Sequence, residues 1–173
     1  MSDIWVVSDT HFGHDNILKY ENRPFKSVKE MDEAILENWN AVVKPGDKVY
    51  HLGDVYMGSG ENAWEILKRL NGKKRLVLGN HDDPKAAPIG KFFQKITLFR
   101  AFREFGLMLS HVPVHPDSII RVGEGFVNVH GHIHGKRVMK IKMGGRAPDD
   151  RYRCVCVEHT NYTPINIEDL RVK

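Results

Sequence analysis

The sequence predicts an α/β fold in a single domain. Short apolar runs rich in branched residues alternate with helical patterns along the chain, and this alternation is typical of α/β architecture. The chain has 173 residues, no internal repeat and no Pro/Gly/Ser-rich linker. This length suits one ordinary domain, so we expect residues 1–173 to fold as one unit.

The first half of the chain predicts three strands separated by two helices. The strand candidates are 4–8, 48–52 and 75–78. A helix is expected from Ser27, where Ser27 and Glu30 match a capping box, until Pro45-Gly46-Asp47 ends it. Its apolar face consists of Met31, Ile35, Trp39 and Val42. The second helix is closed by Asn71-Gly72, and its apolar stripe consists of Ala63, Ile66, Leu67 and Leu70.

The second half of the chain is richer in strands. The candidates are 96–102, 107–110, 126–130, 138–142 and 152–158. Strands joined by short connections, without helices between them, commonly pair in antiparallel fashion and make a sheet antiparallel or mixed. We therefore expect one mixed sheet or two stacked sheets.

Composition excludes several classes of protein. Hydrophobic residues at 41% and charged residues at 28% are close to the globular average, so the chain should fold. The N-terminus lacks the pattern of a signal peptide and no segment approaches the ~20 apolar residues of a membrane span, which predicts a cytoplasmic protein without membrane contact. The net charge of +4 suits an anionic substrate without requiring nucleic acid. Cys154 and Cys156 are interpreted as reduced, structural thiols.

Polar loops follow the predicted strands. The chain has ten histidines, and several of them lie in these loops. The loop residues are Asp9 and His11, Gly53-Asp54, Gly79-Asn80-His81-Asp82, His111, and Gly131-His132-Ile133-His134. Ligands in α/β folds collect at the carboxyl ends of strands, where distant segments meet. Carboxylates, an amide oxygen and imidazoles suit divalent manganese, iron, zinc or nickel. Seven of these residues, named in the next paragraph, are candidate ligands. Seven ligands are enough for two ions, which in such sites lie roughly 3.5–4 Å apart.

These motifs, in this order, resemble those of the calcineurin-like metallophosphoesterase superfamily. The resemblance implies an α/β, metallophosphoesterase-type sandwich of two mixed sheets flanked by helices. It also implies two divalent ions, manganese first, and attack on phosphorus by a metal-bridging hydroxide. The implied ligands of the first ion are Asp9, His11 and His134, and those of the second are Asn80, His111 and His132. Asp54 would bridge the ions, and His81 would remain free to protonate the leaving alkoxide.

The resemblance also bears on the substrate. Protein serine/threonine phosphatases of the superfamily carry Gly-Asp-x-Val-Asp-Arg-Gly, whereas Gly53-Asp54 continues here as Val-Tyr-Met-Gly-Ser-Gly. Ser8 to His14 is similar to the opening of small bacterial and phage phosphoesterases. We therefore expect a small phosphodiester or phosphomonoester, nucleotide-like, as the substrate. His14 and Arg23 are candidate contacts for its phosphate, and each has a purely structural alternative.

Two further functions remain open from the sequence. A basic stretch after the histidine motif favours a nuclease or an enzyme that processes nucleic-acid ends; its residues are Lys136, Arg137, Lys140, Lys142 and Arg146. The alternating pattern of Lys140 and Lys142 equally fits a strand with one wet face. A non-catalytic interaction module is the third alternative. Such proteins usually lose ligands, and all seven ligand positions and His81 are present here.

Overall fold

The structure, a computed structural model, describes residues 2–172. It contains eleven strands, five α-helices and three short 3-10 turns over those residues. The strands are β1 Ile4–Val7, β2 Lys48–His51, β3 Lys73–Val77, β4 Phe93–Thr97, β5 Phe99–Phe102, β6 Leu107–Ser110, β7 Val127–His130, β8 Met139–Lys142, β9 Gly145–Pro148, β10 Tyr152–Cys154 and β11 Ile165–Asn166. The helices are α1 Ile17–Tyr20, α2 Val28–Val42, α3 Gly60–Arg69, α4 Ala87–Phe92 and α5 Pro116–Val122.

Two mixed sheets form the body of the protein. The first has the order β11-β1-β2-β3-β4, in which β1 to β4 are parallel and β11 is antiparallel to β1. The second has the order β10-β7-β6-β5, with only β5 and β6 antiparallel. The predicted sandwich of two mixed sheets flanked by helices is therefore confirmed.

Apolar side chains fill both faces of the first sheet. One face contacts the second sheet, where Val6, Leu52 and Val77 pack with Leu107, Leu109 and Val129. The opposite face packs against α2 and α3, and Met31, Ile35 and Trp39 of α2 are fully buried there. Burial of each such side chain stabilises the fold by about 1.5–3 kcal/mol. This two-sided burial explains why β1 is a continuous apolar run.

The predicted start of the helix at Ser27 is confirmed by its cap. Ser27 Oγ accepts a hydrogen bond from the backbone N–H of Glu30 at 3.2 Å, so α2 begins at Val28. The Glu30 carboxylate accepts a hydrogen bond from the backbone N–H of Lys26 at 2.8 Å. A capping box has this bond at the N-cap residue itself, Ser27, so the contact is shifted by one residue. Ser59 caps α3 in the same manner, through the N–H of Asn62.

The prediction of one strand over 96–102 is wrong. The segment contains the end of β4 in the first sheet and the whole of β5 in the second, with the exposed Leu98 between them. The chain therefore passes from one sheet to the other within a single apolar run. A residue pattern records burial but not which sheet a strand joins, so the run concealed the crossover.

Two other strand predictions also need correction. The candidate 138–142 is β8, but it pairs only with β9 in a separate hairpin outside both large sheets. The candidate 152–158 is a strand only over β10; it continues as one isolated bridge from Cys156 to Ser8 and then as a 3-10 turn over Val157–His159. Over residues 2–172, no helix is both long and apolar enough to cross a membrane.

Candidate metal centre

The polar loops predicted from the sequence meet at one edge of the sandwich. Three loops follow β1, β2 and β3 of the first sheet, and two follow β6 and β7 of the second. They carry the seven predicted ligands Asp9, His11, Asp54, Asn80, His111, His132 and His134, which we call the ligand cluster. The bridge between Ser8 and Cys156 joins the two sheets at this edge.

The backbone of the ligand cluster is strained. Asp9, His11, Asp54, His132 and His134 have φ values of 57°, 50°, 56°, 69° and 48°, all in the left-handed region. Side chains other than glycine adopt this conformation at a cost of about 1–2 kcal/mol each, although Asp and His tolerate it better than most. Strain of this kind is concentrated at functional sites, where surrounding structure enforces it.

Two motif glycines allow the loops to approach one another closely. A Cβ on Gly79 would collide with the backbone N and Oδ1 of Asp54, and a Cβ on Gly131 would collide with Ser8 Oγ and Asp9 Oδ2. The glycines of the Gly-Asn-His-Asp and Gly-His-x-His motifs are therefore required because any larger side chain would clash with the neighbouring loop. They let the carboxylates of Asp9 and Asp54 lie against a neighbouring backbone.

The Asp9 carboxylate presents one free oxygen. Its Oδ2 accepts hydrogen bonds from Ser8 Oγ at 2.5 Å, His132 N at 2.9 Å and Cys156 Sγ at 3.3 Å. Its Oδ1 is buried, has no hydrogen-bond partner among residues 2–172, and lies 3.9 Å from His11 Nε2 and 3.8 Å from His134 Nε2. Burial raises the pKa of Asp9, against the opposing effects of His111 and the bond from Ser8.

Asp54 lies at the middle of the ligand cluster. Its Oδ1 accepts a hydrogen bond from the backbone N–H of His81 at 3.0 Å. Its Oδ2 lies 3.6 Å from His11 Nε2 and 3.5 Å from His111 Nε2. Asp54 therefore belongs to two groups of potential ligand atoms, one with Asp9 and His11 and the other with His111 and His132.

Hydrogen bonds orient two of the imidazoles. His111 Nδ1 donates to the carbonyl oxygen of Leu52 at 2.7 Å, which leaves the Nε2 lone pair facing Asn80 Oδ1 at 2.8 Å. His134 Nδ1 donates to Glu158 Oε1 at 3.1 Å, which directs Nε2 toward Asp9. Burial disfavours the charged form of His134, but this bond and the Asp9 charge outweigh burial and raise its pKa. Such outer contacts fix the tautomer of metal-ligating histidines.

The chemistry of the buried atoms fits a divalent cation. Asp9 Oδ1 and His11 Nε2 are both buried without hydrogen-bond partners among the described residues, and each unsatisfied buried group costs about 1–3 kcal/mol. Burial, with help from the Arg23 charge, lowers the pKa of His11 to about 2, so its imidazole is the neutral, metal-binding form. Ligand atoms around one tetrahedral ion are about 3.4 Å apart, and the distances around Asp54 Oδ2 are close to that value.

Some of the cluster faces solvent. The side chains of Asn80, His81 and His132 are exposed, whereas Asp9, His11, Asp54 and His111 are buried. The His81 ring lies 5.8 Å from the His11 ring, centre to centre. His81 thus lies on the solvent-facing side of the ligand cluster.

The two candidate substrate contacts occupy different positions. His14 Nδ1 lies 3.3 Å from His11 Nδ1, and its ring also contacts Tyr20. Arg23 is buried, and its guanidinium donates to the carbonyl oxygens of Asp9 and Thr10 and to Glu158 Oε1 at 2.7–2.9 Å. The structure brings Arg23 behind the cluster rather than to its open side.

Sequence reasoning did not connect three residues with the ligand cluster that they support. Asp82 accepts hydrogen bonds from the N–H groups of Asp54, Val55 and Gly79, each at 2.9 Å, and so ties two loops together. Glu158 orients His134, and Cys156 contacts Asp9. Asp82 has a sequence signal, since it closes the Gly-Asn-His-Asp motif. Glu158 and Cys156 have none, because both follow the last motif of the family pattern.

A sandwich of two mixed sheets with an Asp/His/Asn cluster at its strand ends defines the class of metallophosphoesterases. A protein-family model described as calcineurin-like phosphoesterase matches residues 2–163. The chain belongs to this family, and it is therefore a metal-dependent phosphoesterase.

Relatives are found in archaea, bacteria and phages. An uncharacterised protein of Methanocaldococcus jannaschii is 37% identical over 100% of this chain and 91% of its own length. The gene 66 protein of Mycobacterium phage L5 is 28% identical over 80% of this chain and 81% of its own. The crystal structure of a protein of unknown function from Aquifex aeolicus has a TM-score of 0.74 and 32% identity, covering 98% of each chain.

Proposed function

We propose that the protein hydrolyses a small phosphodiester or phosphomonoester, nucleotide-like, at a centre of two divalent ions. The observation that carries this proposal is the position of Asp54 Oδ2, 3.6 Å from His11 Nε2 and 3.5 Å from His111 Nε2. One carboxylate oxygen within 3.6 Å of the Nε2 atoms of two histidines suits a ligand that is shared by neighbouring ions.

Each ion has its own set of ligands in this proposal. Asp9, His11 and His134 would hold the first ion, Asn80, His111 and His132 would hold the second, and Asp54 would bind both. The absence of thiolate from the set favours manganese, and iron, zinc and nickel are also compatible. Two bound divalent ions would lower the pKa of a metal-bound water molecule. They would also neutralise the negative charge that develops on the phosphoryl oxygens.

His81 is the residue proposed to donate a proton to the leaving oxygen. Its backbone is held by the bond from its N–H to Asp54 Oδ1 at 3.0 Å, while its side chain remains exposed. The imidazole is therefore positioned relative to the ligands without being one of them. A leaving alkoxide needs such a donor, because it is a far stronger base than the solvent.

Replacement of His81 by Ala tests the catalytic assignment. We expect the metal content to remain at two ions while turnover falls by a factor on the order of 10² or more. His115→Ala is the matched control, since His115 is an exposed histidine whose side chain contacts Asp117 in its own turn. Unchanged turnover in His81→Ala would remove His81 from the mechanism.

Replacement of Asp54 by Asn tests the metal assignment. The variant should lose affinity for both ions, measured as metal per chain after dialysis against limiting manganese. Retention of two ions would refute the shared ligand, and loss of only one would assign Asp54 to a single ion.

A second candidate function is cleavage or end-processing of nucleic acid. The hairpin of β8 and β9 starts five residues after His134, and Lys142 and Arg146 are exposed on it. Lys140 instead pairs with Asp150. A manganese-supplemented assay that compares monoesters, diesters, 2′,3′-cyclic nucleotides and oligonucleotides separates the two functions. If the logarithm of the affinity for an oligonucleotide falls linearly with the logarithm of the salt concentration, the nuclease function is favoured.

A further inference from the structure

A polar cavity lies between the two sheets, at the end away from the ligand cluster. Its volume is about 320 Å³, within the range of small-molecule sites. Its walls come from β1 to β5 and the turn after β5, and they include Ile4, Lys48, Arg75, Lys95, Arg100 and Glu104. Ile4 and Lys48 begin their strands, whereas Asp9 and Asp54 follow the ends of the same strands. At ~3.3 Å per strand residue, the two sites are roughly 15–20 Å apart.

The cavity is strongly cationic. Four basic side chains line it against one carboxylate, that of Glu104, which gives a net charge of +3. The whole chain has a net charge of only +4. Within residues 2–172, none of these four side chains makes an ion pair, although other lysines and arginines do. Like charges that converge on one concave space repel one another, and a bound anion relieves that repulsion.

Arg75 has an unsatisfied donor in this environment. Its Nη1 is buried and has no hydrogen-bond partner among the described residues. Its guanidinium carbon lies 5.4 Å from the centre of the Tyr50 ring, and that of Arg100 lies 5.0 Å from the Phe102 ring. Stacking on the aromatic walls restricts the orientation of both guanidinium groups. A planar guanidinium with free N–H groups matches the oxygens of a phosphate.

We propose that this cavity is a binding site for a small polyanion of the diphosphate or triphosphate class. The charge of +3 favours a ligand with more than one negative charge, and the volume admits two or three phosphate groups. Among residues 2–172, no group of potential metal ligands lies in these walls, so the anion would be recognised by Arg75, Lys48, Lys95 and Arg100 directly. This site is separate from the ligand cluster and does not depend on the reaction proposed there.

The test is calorimetric titration of the full chain, as purified, with methylenediphosphonate, a diphosphate analogue that cannot be hydrolysed. Lys95 and Arg100 are exposed, so the double variant Lys95→Gln/Arg100→Gln should fold normally. We expect its binding to be weaker by roughly tenfold or more, since charge-assisted hydrogen bonds are lost. Arg75→Gln should weaken binding to a similar extent. A parallel titration with adenosine 5′-(α,β-methylene)diphosphate shows whether an organic group is accepted beside the phosphates.

The matched control is Lys44→Gln/Arg121→Gln, which removes two exposed charges outside the cavity. Any binding of the probe at the ligand cluster is common to both double variants, so the difference between them reports the cavity alone. Equal affinities in the two double variants would overturn the proposal. Failure of the wild-type chain to bind either probe at about 10 mM, a concentration that detects even very weak sites, would also overturn it.

Discussion

Glu158 Oε1 accepts a hydrogen bond from His134 Nδ1 at 3.1 Å. The same oxygen accepts from Nε and Nη2 of Arg23 at 2.9 and 2.7 Å. Burial opposes ionisation of Glu158, but the His134 bond and the Arg23 charge outweigh it and lower its pKa. The carboxylate therefore stays charged and holds the His134 ring with Nε2 toward Asp9.

Replacement of Glu158 by Gln should weaken metal binding. The amide cannot hold the His134 tautomer as firmly as the carboxylate, and losses of outer partners typically reduce metal affinity by about 10–100-fold. Glu168→Gln is the control, because Glu168 forms an exposed pair with Arg171. Competition with a chelator measures both affinities. Equal affinity in the two variants would show that His134 needs no support from Glu158.

Replacement of Asp82 by Asn should destabilise the protein. The Asp82 carboxylate accepts three backbone N–H bonds, and an amide NH₂ would face at least one of those donors. Leaving buried donors unsatisfied costs about 1–3 kcal/mol for each group. The exposed neighbour Asp83 provides the control Asp83→Asn. Urea unfolding should show a lower free energy of unfolding only for Asp82→Asn, and identical midpoints would contradict the role of Asp82.

Replacement of Arg23 by Lys distinguishes a structural role from contact with substrate. Lysine cannot reproduce the fork of bonds to Asp9, Thr10 and Glu158, so we expect a loss of about 3 kcal/mol in the free energy of unfolding. A phosphate contact would instead raise KM while stability stayed unchanged. Thermal unfolding and steady-state kinetics of the same variant therefore decide between the two interpretations of Arg23.

Asp32 should make stability depend on pH. Both of its carboxylate oxygens lie 3.1 Å from the N–H of Gly13, and burial raises its pKa from 3.8 to about 6. Below pH ~4 the carboxyl is protonated in both the folded and the unfolded state. Between pH ~4 and ~6 only the folded state keeps the proton, so stability falls as pH rises through this window.

The variant Asp32→Asn should remove that dependence. Its free energy of unfolding relative to the wild type should rise by on the order of 1–2 kcal/mol between pH 4 and pH 7, after allowance for solvent screening. Asp15→Asn, at an exposed aspartate in the same loop region, serves as the control. A constant difference between wild type and Asp32→Asn over this range would contradict the raised pKa.

The positions of the ligand loops could be predicted from the sequence because each loop directly follows a strand. Asp9, Asp54 and Asn80 follow parallel neighbours in one sheet, and parallel strands end at a common edge. Their convergence is therefore a consequence of register. Metal ligation by these residues and the role of His81 remain predictions.

The supporting contacts could not be predicted in the same way. Arg23 and Glu158 are 135 positions apart, and neither lies in a motif. Their pairing depends on how the chain returns to the first sheet after β10, which no local pattern records. The passage from β4 to β5 at Leu98 could not be predicted for a related reason. The apolar periodicity of a strand is the same in whichever sheet it lies.

The left-handed backbone at Asp9, His11, Asp54, His132 and His134 has a consequence for protein engineering. Glycine adopts this conformation without the steric penalty of a side chain. Exchanging these positions for glycine would therefore relieve strain while discarding five of the seven predicted ligands. The positions that supply the predicted ligands therefore carry backbone strain that lowers the stability of the fold.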